Sequence, residues 1–142
     1  MASDFFILVA RILLAIMFLS SGYAALSDVE STAGYFASLG LEPSSLFAWG
    51  VGLFELASGI LLVSGFQTRP TAAVLTLFTI AASFLGHYGQ GDDDPFAAFM
   101  HRQALVKDVA VAGGLILLTV LGAGRLSIDA WRGDSPRAGD RP

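Results

Sequence analysis

Four apolar stretches occupy most of the chain, and each is about as long as a helix that crosses a lipid bilayer. They cover residues 5–26, 46–65, 71–88 and 104–123. A hydrocarbon core of ~30 Å requires roughly 20 residues of helix, and a spanning helix satisfies its own backbone hydrogen bonds. The segments between the stretches are too short for a further folded domain. The sequence therefore predicts an all-α integral membrane protein with four spans.

The composition fits a membrane protein and excludes several other classes. Hydrophobic residues make up 54% of the chain and charged residues only 14%, which is unusual for a surface solvated by water. The net charge of −4, without a basic stripe, argues against nucleic-acid binding. Cysteine is absent, so the chain itself forms no disulfide and no thiolate metal site. A redox reaction would therefore need an electron carrier from elsewhere.

Lysine and arginine divide unequally between the two sides that four spans define. The side of the N-terminus, the second connection and the C-terminus holds Arg69, Arg125, Arg132, Arg137 and Arg141. The other side holds only Arg102 and Lys107. Positively charged segments of membrane proteins remain in the cytoplasm. We therefore predict a multi-pass protein of the cytoplasmic membrane with both termini in the cytoplasm.

The connections between the spans differ in length and character. Residues 66–70 form a tight hairpin that ends in Pro70, a residue suited to the start of a helix. The first connection is longer, and the helical spacing of Tyr35, Phe36 and Leu39 predicts a short interfacial helix. Residues 89–95 form an acidic turn. The polar residues 130–142 are predicted to be a flexible cytoplasmic tail.

Small and polar residues recur at helical spacing in all four spans, so each helix should direct one face into a bundle. These faces carry Arg11, Ala15, Phe18 and Gly22 in the first span, Gly52, Glu55 and Gly59 in the second, Ala72, Thr76, Ser83 and His87 in the third, and Asp108, Ala112, Leu115 and Thr119 in the fourth. Four such faces predict an up-down four-helix bundle with a partly polar interior.

Arg11 and Glu55 are the charged residues that lie deepest in the predicted spans. A charge inside the hydrocarbon core costs at least ~2.5 kcal/mol, so such residues are usually paired or functional. Measured from the cytoplasmic side, Arg11 lies about 9 Å deep and Glu55 about 15 Å deep, a gap that an arginine side chain bridges. We therefore predict an ion pair between them. Glu55 is either a proton-exchanging or ligand-binding acid or a structural partner of Arg11, and Arg11 is a structural counter-ion, an interfacial residue or a direct ligand contact.

His87 and Asp108 both lie near the outer ends of their spans and are predicted to form a second couple, with Lys107 and His101 nearby. The ordinary pKa of histidine makes His87 a candidate for proton exchange, and an interfacial histidine without a special role is the alternative. Asp108 is a second candidate, or simply a charge at the start of the fourth span. Two histidines without a matching carboxylate spacing predict no metal site.

Several short motifs follow one another in a distinctive order from residue 5 to residue 129. They are Arg11 early in the first span, Ser21 and Gly22 near its outer end, Glu55 followed by Gly59, the segment 65–69 (GFQTR) with Arg69, the segment 105–108 (LVKD), and the segment 122–129 (GAGRLSID) with Gly122, Gly124, Ser127 and Asp129. In this order and spacing the chain resembles the DoxX family of small bacterial and archaeal membrane proteins. One departure is that many members have a lysine shortly after the Ser-Gly pair, where this chain has residues 23–26 (YAAL).

The resemblance implies a four-span bundle, and it suggests two kinds of role. Some members of the family are membrane subunits of a thiosulfate:quinone oxidoreductase, and others take part in redox-defence complexes. The expected function is accordingly that of a membrane subunit of a quinone-linked oxidoreductase or redox-defence complex, with a membrane quinone as the candidate cofactor. The expected partners are the lipid bilayer, soluble redox proteins and, in a homo-oligomer, further copies of the chain. The alternative is a non-catalytic membrane scaffold or small-molecule carrier.

Overall fold

Six α-helices form the fold in the computed structural model, which describes residues 2–133. They are α1 (Ala2–Ser27), α2 (Val29–Ser38), α3 (Ser44–Ser64), α4 (Thr68–His87), α5 (Pro95–Leu121) and α6 (Ile128–Trp131). Four of them, α1, α3, α4 and α5, are long and apolar enough to cross a membrane, which confirms the predicted all-α class with four spans. Of the predicted tail, residues 130 and 131 belong to α6, and residues 134–142 lie outside the described part of the chain.

The four long helices form an up-down bundle in which each helix packs against two neighbours, in the ring order α1, α3, α4, α5. Packing is most extensive within two pairs, α1 with α3 and α4 with α5. We call the end that holds residues 2 and 133 the terminal end, and the end that holds α2 and residues 88–94 the loop end. The location of the terminal end in the cytoplasm stays a prediction.

The interior faces predicted from helical spacing are the buried faces of the structure. The buried residues include Arg11, Ala15, Phe18 and Gly22 of α1, Gly52, Glu55 and Gly59 of α3, Ala72, Thr76 and Ser83 of α4, and Asp108, Ala112 and Leu115 of α5. His87 and Thr119 are partly exposed. The opposite faces carry large exposed side chains such as Leu77, Leu117 and Val120, which contact lipid in a bilayer.

Glycines allow α1 and α3 to approach each other closely. A Cβ atom added to Gly22 would lie 2.7 Å from the main-chain oxygen of Gly52 and 2.7 Å from the main-chain nitrogen of Leu56. A Cβ atom on Gly59 would lie 2.7 Å from Cγ of Leu19. Small residues at such crossings are typical of membrane helices, because lipid gives helices no hydrophobic reason to associate and close packing must hold them together.

The seam between the two helix pairs is filled only in part. Its core consists of Ala15, Phe18, Leu62, Ala72, Leu75, Leu115 and Leu118, and no member of this group is more than 4% exposed. Phe18 lies at the loop-end limit of this core and also lines a cavity. The bundle is therefore solid towards the terminal end and hollow towards the loop end.

All four long helices begin earlier in the chain than the predicted apolar stretches, and α5 differs most. Helix α5 starts at Pro95 and not at residue 104, because the side chain of Asp94 accepts a hydrogen bond from the main-chain nitrogen of Phe96 and Pro95 occupies the first turn. Helix α4 starts at Thr68 and not at residue 71. The early start of α5 places His101 on a helix, about two turns before Asp108, the first buried residue of α5.

Candidate functional site

Arg11 is buried at the terminal end, where its guanidinium binds main-chain carbonyls. Its side chain is 1% exposed. Nε donates to the oxygen of Leu62 at 2.9 Å, and Nη2 donates to that of Val63 at 2.7 Å. Nη1 donates to the oxygens of Ala123 and Leu126. Leu62 and Val63 lie in the last turn of α3, whose carbonyls have no partner within the helix, so Arg11 caps α3 and ties it to the segment after α5.

The predicted ion pair between Arg11 and Glu55 is therefore wrong. Within residues 2–133 no ion pair joins the two side chains, since the donors of Arg11 are directed to the four carbonyls and a carboxylate oxygen of Glu55 accepts from Ser21. The acidic charge that acts on Arg11 is that of Asp129. Depth along the helices placed Arg11 and Glu55 within reach, but the carbonyls that surround Arg11 come from segments distant in sequence.

Asp129 completes this cluster at the terminal end. Its carboxylate accepts hydrogen bonds from the main-chain nitrogens of Gln67, at 2.8 Å, and Thr68, at 2.9 Å, which are unpaired donors at the start of α4. Its own main-chain nitrogen donates to the oxygen of Gly65 at 2.9 Å. Gly65 has φ +67°, and a Cβ atom there would lie 2.8 Å from the guanidinium carbon of Arg11. The segment after α5 thus locks α1, α3 and α4 together.

A cavity of about 770 Å³ occupies the seam between the helix pairs at the loop end. It is lined mainly by apolar and aromatic side chains, together with polar groups from the five helices α1 to α5. The polar groups that matter for its chemistry are Ser21, Glu55, Thr79, Ser83, His87 and Asp108. Cavities of this size and lining are typical of small-molecule sites. This cavity is the candidate functional site.

Glu55 lies in the wall of the cavity and is 7% exposed. Ser21 of α1 donates to Oε2 of Glu55 at 2.8 Å, and within the described residues it is the only hydrogen-bond partner of that carboxyl group. A carboxyl group can accept several hydrogen bonds and, when protonated, can also donate one. Glu55 therefore keeps hydrogen-bonding capacity for a molecule in the cavity.

Two hydroxyl groups in the same wall have no partner in the protein. Thr79 is 4% exposed and Ser83 is 2% exposed, and neither hydroxyl oxygen makes a hydrogen bond. The hydroxyl of Thr76 on the same helix, by contrast, donates to the main-chain oxygen of Ala72 at 2.8 Å. Buried polar groups in proteins are nearly always hydrogen-bonded. The hydroxyls of Thr79 and Ser83 therefore keep unused hydrogen-bonding capacity beside the cavity.

His87, His101 and Asp108 form a row at the mouth of the cavity, which confirms the predicted couple of His87 and Asp108. Nε2 of His87 lies 3.8 Å from Oδ2 of Asp108, and Nδ1 of His87 lies 3.0 Å from Nδ1 of His101. Nζ of Lys107 lies 3.4 Å from Oδ1 of Asp108. The two Nδ1 atoms leave no space for an ion between them, and residues 2–133 contain no group of three or more potential ligands arranged for a metal.

Helix α2 covers the cavity at the loop end, and it is the short interfacial helix predicted from Tyr35, Phe36 and Leu39. The hydroxyl of Tyr35 donates to the main-chain oxygen of Gly86 at 3.4 Å, and a Cβ atom on Gly86 would lie 2.6 Å from that hydroxyl. Burial raises the pKa of Tyr35, so the hydroxyl remains a donor at neutral pH. Tyr35 therefore closes the gap between α2 and α4.

An apolar groove lies next to the cavity, on the surface between α3 and α4. It is lined by Gly50, Phe54, Val74 and Leu77, and it shares Val51, Phe78 and Ala81 with the cavity. The rings of Phe54 and Phe78 pack across this seam with centroids 4.9 Å apart. The cavity and the groove are therefore neighbours that share three wall residues, and the side chains of this seam are all apolar.

Comparison with known proteins agrees with this architecture. Residues 6–88, which run from α1 past the end of α4, match the model of the DoxX family. The chain belongs to the DoxX family. The inner membrane protein YphA of Escherichia coli strain K12 is 32% identical over 123 residues, 87% of each chain. The inner membrane protein YqjF of the same organism is 32% identical over 126 residues, 89% of this chain and 91% of YqjF. No solved structure gives a significant match.

This DoxX protein is accordingly a multi-pass protein of the cell membrane. Its motif residues fall into three places. Gly22 and Gly59 lie at the close crossing of α1 and α3, and Glu55 lies in the cavity. The terminal-end cluster contains Arg11, Gly65 and Asp129, with Ser127 at the start of α6 and Gly122 against the side chain of Arg69. Gly124 has φ +71° and packs near Ile7.

The predicted site residues of the DoxX protein lie in two separate places. Glu55, His87 and Asp108 line one cavity, whereas Arg11 lies outside it in the terminal-end cluster. Thr79 was not among the residues predicted for the interior face of α4. Thr79 lies three residues after Thr76 and four before Ser83, which places it on the interior face of α4. Helical spacing alone would therefore have identified it. The role of Ser21 as partner of Glu55 required the structure.

Proposed function

We propose that this DoxX protein is the membrane subunit of a quinone-linked oxidoreductase or redox-defence complex, and that its cavity holds the quinone headgroup. One observation carries the proposal. A cavity with a buried carboxyl group and two unpaired hydroxyls in its wall lies directly beside an apolar groove on the surface of the bundle. This combination fits a lipid-soluble ligand whose polar end accepts and donates hydrogen bonds.

The hydrogen-bonding groups of the cavity match both redox forms of a quinone headgroup. An oxidised headgroup has two carbonyl oxygens, which accept hydrogen bonds, and the hydroxyls of Thr79 and Ser83 are donors without a partner in the protein. A reduced headgroup has two hydroxyls, which donate, and the carboxyl group of Glu55 is a strong acceptor. Phe36, Phe47 and Phe78 in the cavity wall supply apolar surface for the flat ring.

The groove between α3 and α4 supports a ligand that arrives from the membrane. The isoprenoid tail of a quinone is apolar and stays in lipid, so a headgroup site in a membrane protein needs a lateral opening. Val51, Phe78 and Ala81 line both the cavity and the groove, and they mark where the tail would pass. A water-soluble ligand would not require access from the lipid.

Electrons must come from another protein in this proposal. The chain has no cysteine, and its two histidines face each other and do not bracket a cofactor. Its own contribution is to bind and orient the quinone, to exclude competing reactions and to handle the protons that accompany two-electron reduction. A soluble redox protein is therefore the partner that the proposal requires.

The scaffold alternative receives less support from the packing. In that hypothesis the pair of Arg11 and Glu55 would hold the helices in register. Arg11 instead binds four carbonyls at the terminal end, and Glu55 lies in a cavity with a single hydrogen bond from Ser21. The packing of the bundle thus has a network of its own that does not use Glu55, which leaves the carboxyl group available for a ligand.

Binding of decylubiquinone to the purified protein tests the proposal. We expect saturable binding that weakens roughly three- to tenfold in Thr79→Val and in Ser83→Ala, because each change removes one neutral hydrogen bond worth about 0.5–1.5 kcal/mol. Affinity is measured by the ligand-dependent shift of thermal unfolding. The matched control is Thr68→Val. Thr68 also has a buried, unpaired hydroxyl, but it lies at the terminal end outside the cavity. Equal losses in all three variants, or no binding to the wild type, would contradict the proposal.

A further inference from the structure

A row of three ionisable side chains connects the aqueous surface at the loop end with the cavity. His101 of α5 is partly exposed, His87 of α4 lies at the cavity mouth, and Asp108 of α5 is 9% exposed in the cavity wall. The distances are 3.0 Å from Nδ1 of His101 to Nδ1 of His87 and 3.8 Å from Nε2 of His87 to Oδ2 of Asp108. The row thus links two helices and leads inwards.

The geometry selects one arrangement of protons on the two neutral rings. A contact between two Nδ1 atoms is a hydrogen bond only if one of them carries a proton and the other does not. If His87 carried its proton on Nδ1, its bare Nε2 would face the oxygen of Asp108. If His101 carries the proton on Nδ1, His87 carries its own on Nε2, which then points to the carboxylate. Both contacts are attractive only in the second arrangement.

We propose that the row of His101, His87 and Asp108 is the route by which protons pass between water at the loop end and a ligand in the cavity. The inference rests on the proposed function, because a quinone is the ligand that consumes protons there. Histidine suits such a role, since its two ring nitrogens allow a proton to enter on one side of the ring while another leaves from the other side.

The transfer conserves charge and atoms. His101 takes up a proton from water at Nε2 and gives its Nδ1 proton to Nδ1 of His87. His87 in turn gives its Nε2 proton to an oxygen of the reduced headgroup, directly or through Asp108. One proton has entered from water, one has left to the ligand, and both rings are again neutral. The two electrons reach the headgroup from the redox partner. Exchange with water returns both rings to the resting tautomers, and a second passage then supplies the second of the two protons that quinol formation requires.

The groups around the row favour its operation. On α5, Lys107 lies 3.4 Å from Asp108 and offsets its charge. On α2, the hydroxyl of Tyr35 binds the main-chain oxygen of Gly86, the residue before His87, and so holds the end of α4. Glu55 of α3 and Asp28, which follows α1, are the other acids in the cavity wall. These two carboxyl groups can accept protons that have entered the cavity.

The resting tautomers are measurable without any ligand. The chain contains only two histidines, so ¹⁵N-histidine labelling reports on this pair alone. We expect one Nδ1–H and one Nε2–H tautomer at neutral pH, with the Nδ1–H signal lost in His101→Gln. Two Nε2–H tautomers in the wild type would overturn the proposal, whether or not a quinone binds.

Proton delivery is tested with decylubiquinone bound to the purified protein and dithionite as the reductant. We expect His101→Ala to form quinol about tenfold more slowly than the wild type while its quinone affinity stays unchanged, and imidazole added to the buffer to restore most of the rate. A purely structural role of His101 would not be restored by imidazole, and that result, or an unchanged rate, would overturn the proposal. Absence of quinone binding to the wild type would contradict the proposed function instead, and the tautomers would still decide on the row.

Discussion

Replacement of Arg11 by glutamine should destabilise the fold by about 2–6 kcal/mol. The guanidinium donates to four main-chain oxygens, and a glutamine amide has only two N–H groups on a shorter side chain. At least two carbonyls would lose their donor, and each buried polar group left unpaired costs about 1–3 kcal/mol. The loss should therefore be among the largest that a single substitution in this chain produces.

Unfolding in mixed detergent micelles measures this loss. Arg102→Gln is the matched control, because Arg102 is an exposed arginine at the loop end and should change stability little. Arg11→Lys keeps the positive charge but not the planar set of donors. We expect it to recover only part of the stability. Full recovery by lysine would mean that charge, and not the binding of four carbonyls, is what Arg11 contributes.

A double-mutant cycle separates the terminal-end cluster from the cavity. Because Arg11 and Glu55 share no contact, the effects of Arg11→Gln and Glu55→Gln on stability should add to within about 0.5 kcal/mol. Coupling larger than about 1 kcal/mol would revive the ion pair that the sequence predicted and contradict the arrangement of hydrogen bonds described here.

Replacement of Glu55 by glutamine should leave the fold intact and weaken the binding of quinol about tenfold. The change is nearly isosteric and replaces an ionisable acceptor with a neutral amide. A hydrogen bond to a charged group contributes about 1.5–3 kcal/mol and a neutral one about 0.5–1.5 kcal/mol, so the difference is about 1–1.5 kcal/mol. Quinol donates two hydrogen bonds, whereas quinone only accepts them. The affinity for quinone should therefore change less than the affinity for quinol.

The dissociation constants of decylubiquinol and decylubiquinone, both measured without oxygen, give the test for Glu55. Glu30→Gln is the control, because Glu30 is an exposed acid of α2 outside the cavity lining. An unchanged affinity for quinol in Glu55→Gln would remove Glu55 from the site. A large loss of stability in Glu55→Gln would return it to a structural role.

Helical spacing predicted most of the interior faces, because the direction in which a residue faces follows from its position along its own helix. The face of α1 is an example, since Arg11, Ala15, Phe18 and Gly22 follow a single stripe, and they are its buried residues. The start of α5 was also encoded locally, in Asp94 and Pro95, and these residues are typical of the start of a helix. That signal was missed because the prediction followed the continuous apolar stretch, which begins only at residue 104.

The partners of Arg11 and the cavity could not be predicted in this way. Contact between two helices depends on their rotation as well as on depth, and depth alone suggested that Arg11 meets Glu55. The carbonyls of Ala123 and Leu126 reach Arg11 because the segment after α5 folds back over the terminal end. The cavity arises from the separation of two helix pairs, which is a property of the whole bundle and leaves no local mark in the sequence.

Photolabelling with an azidoquinone tests whether the cavity at the loop end holds a quinone headgroup. Mass spectrometry of the labelled protein should find the label on cavity residues such as Glu55, Ser83 and His87, and an excess of decylubiquinone should prevent the labelling. Label confined to lipid-facing side chains such as Leu117 and Val120, or labelling that the excess quinone does not reduce, would contradict the proposed function.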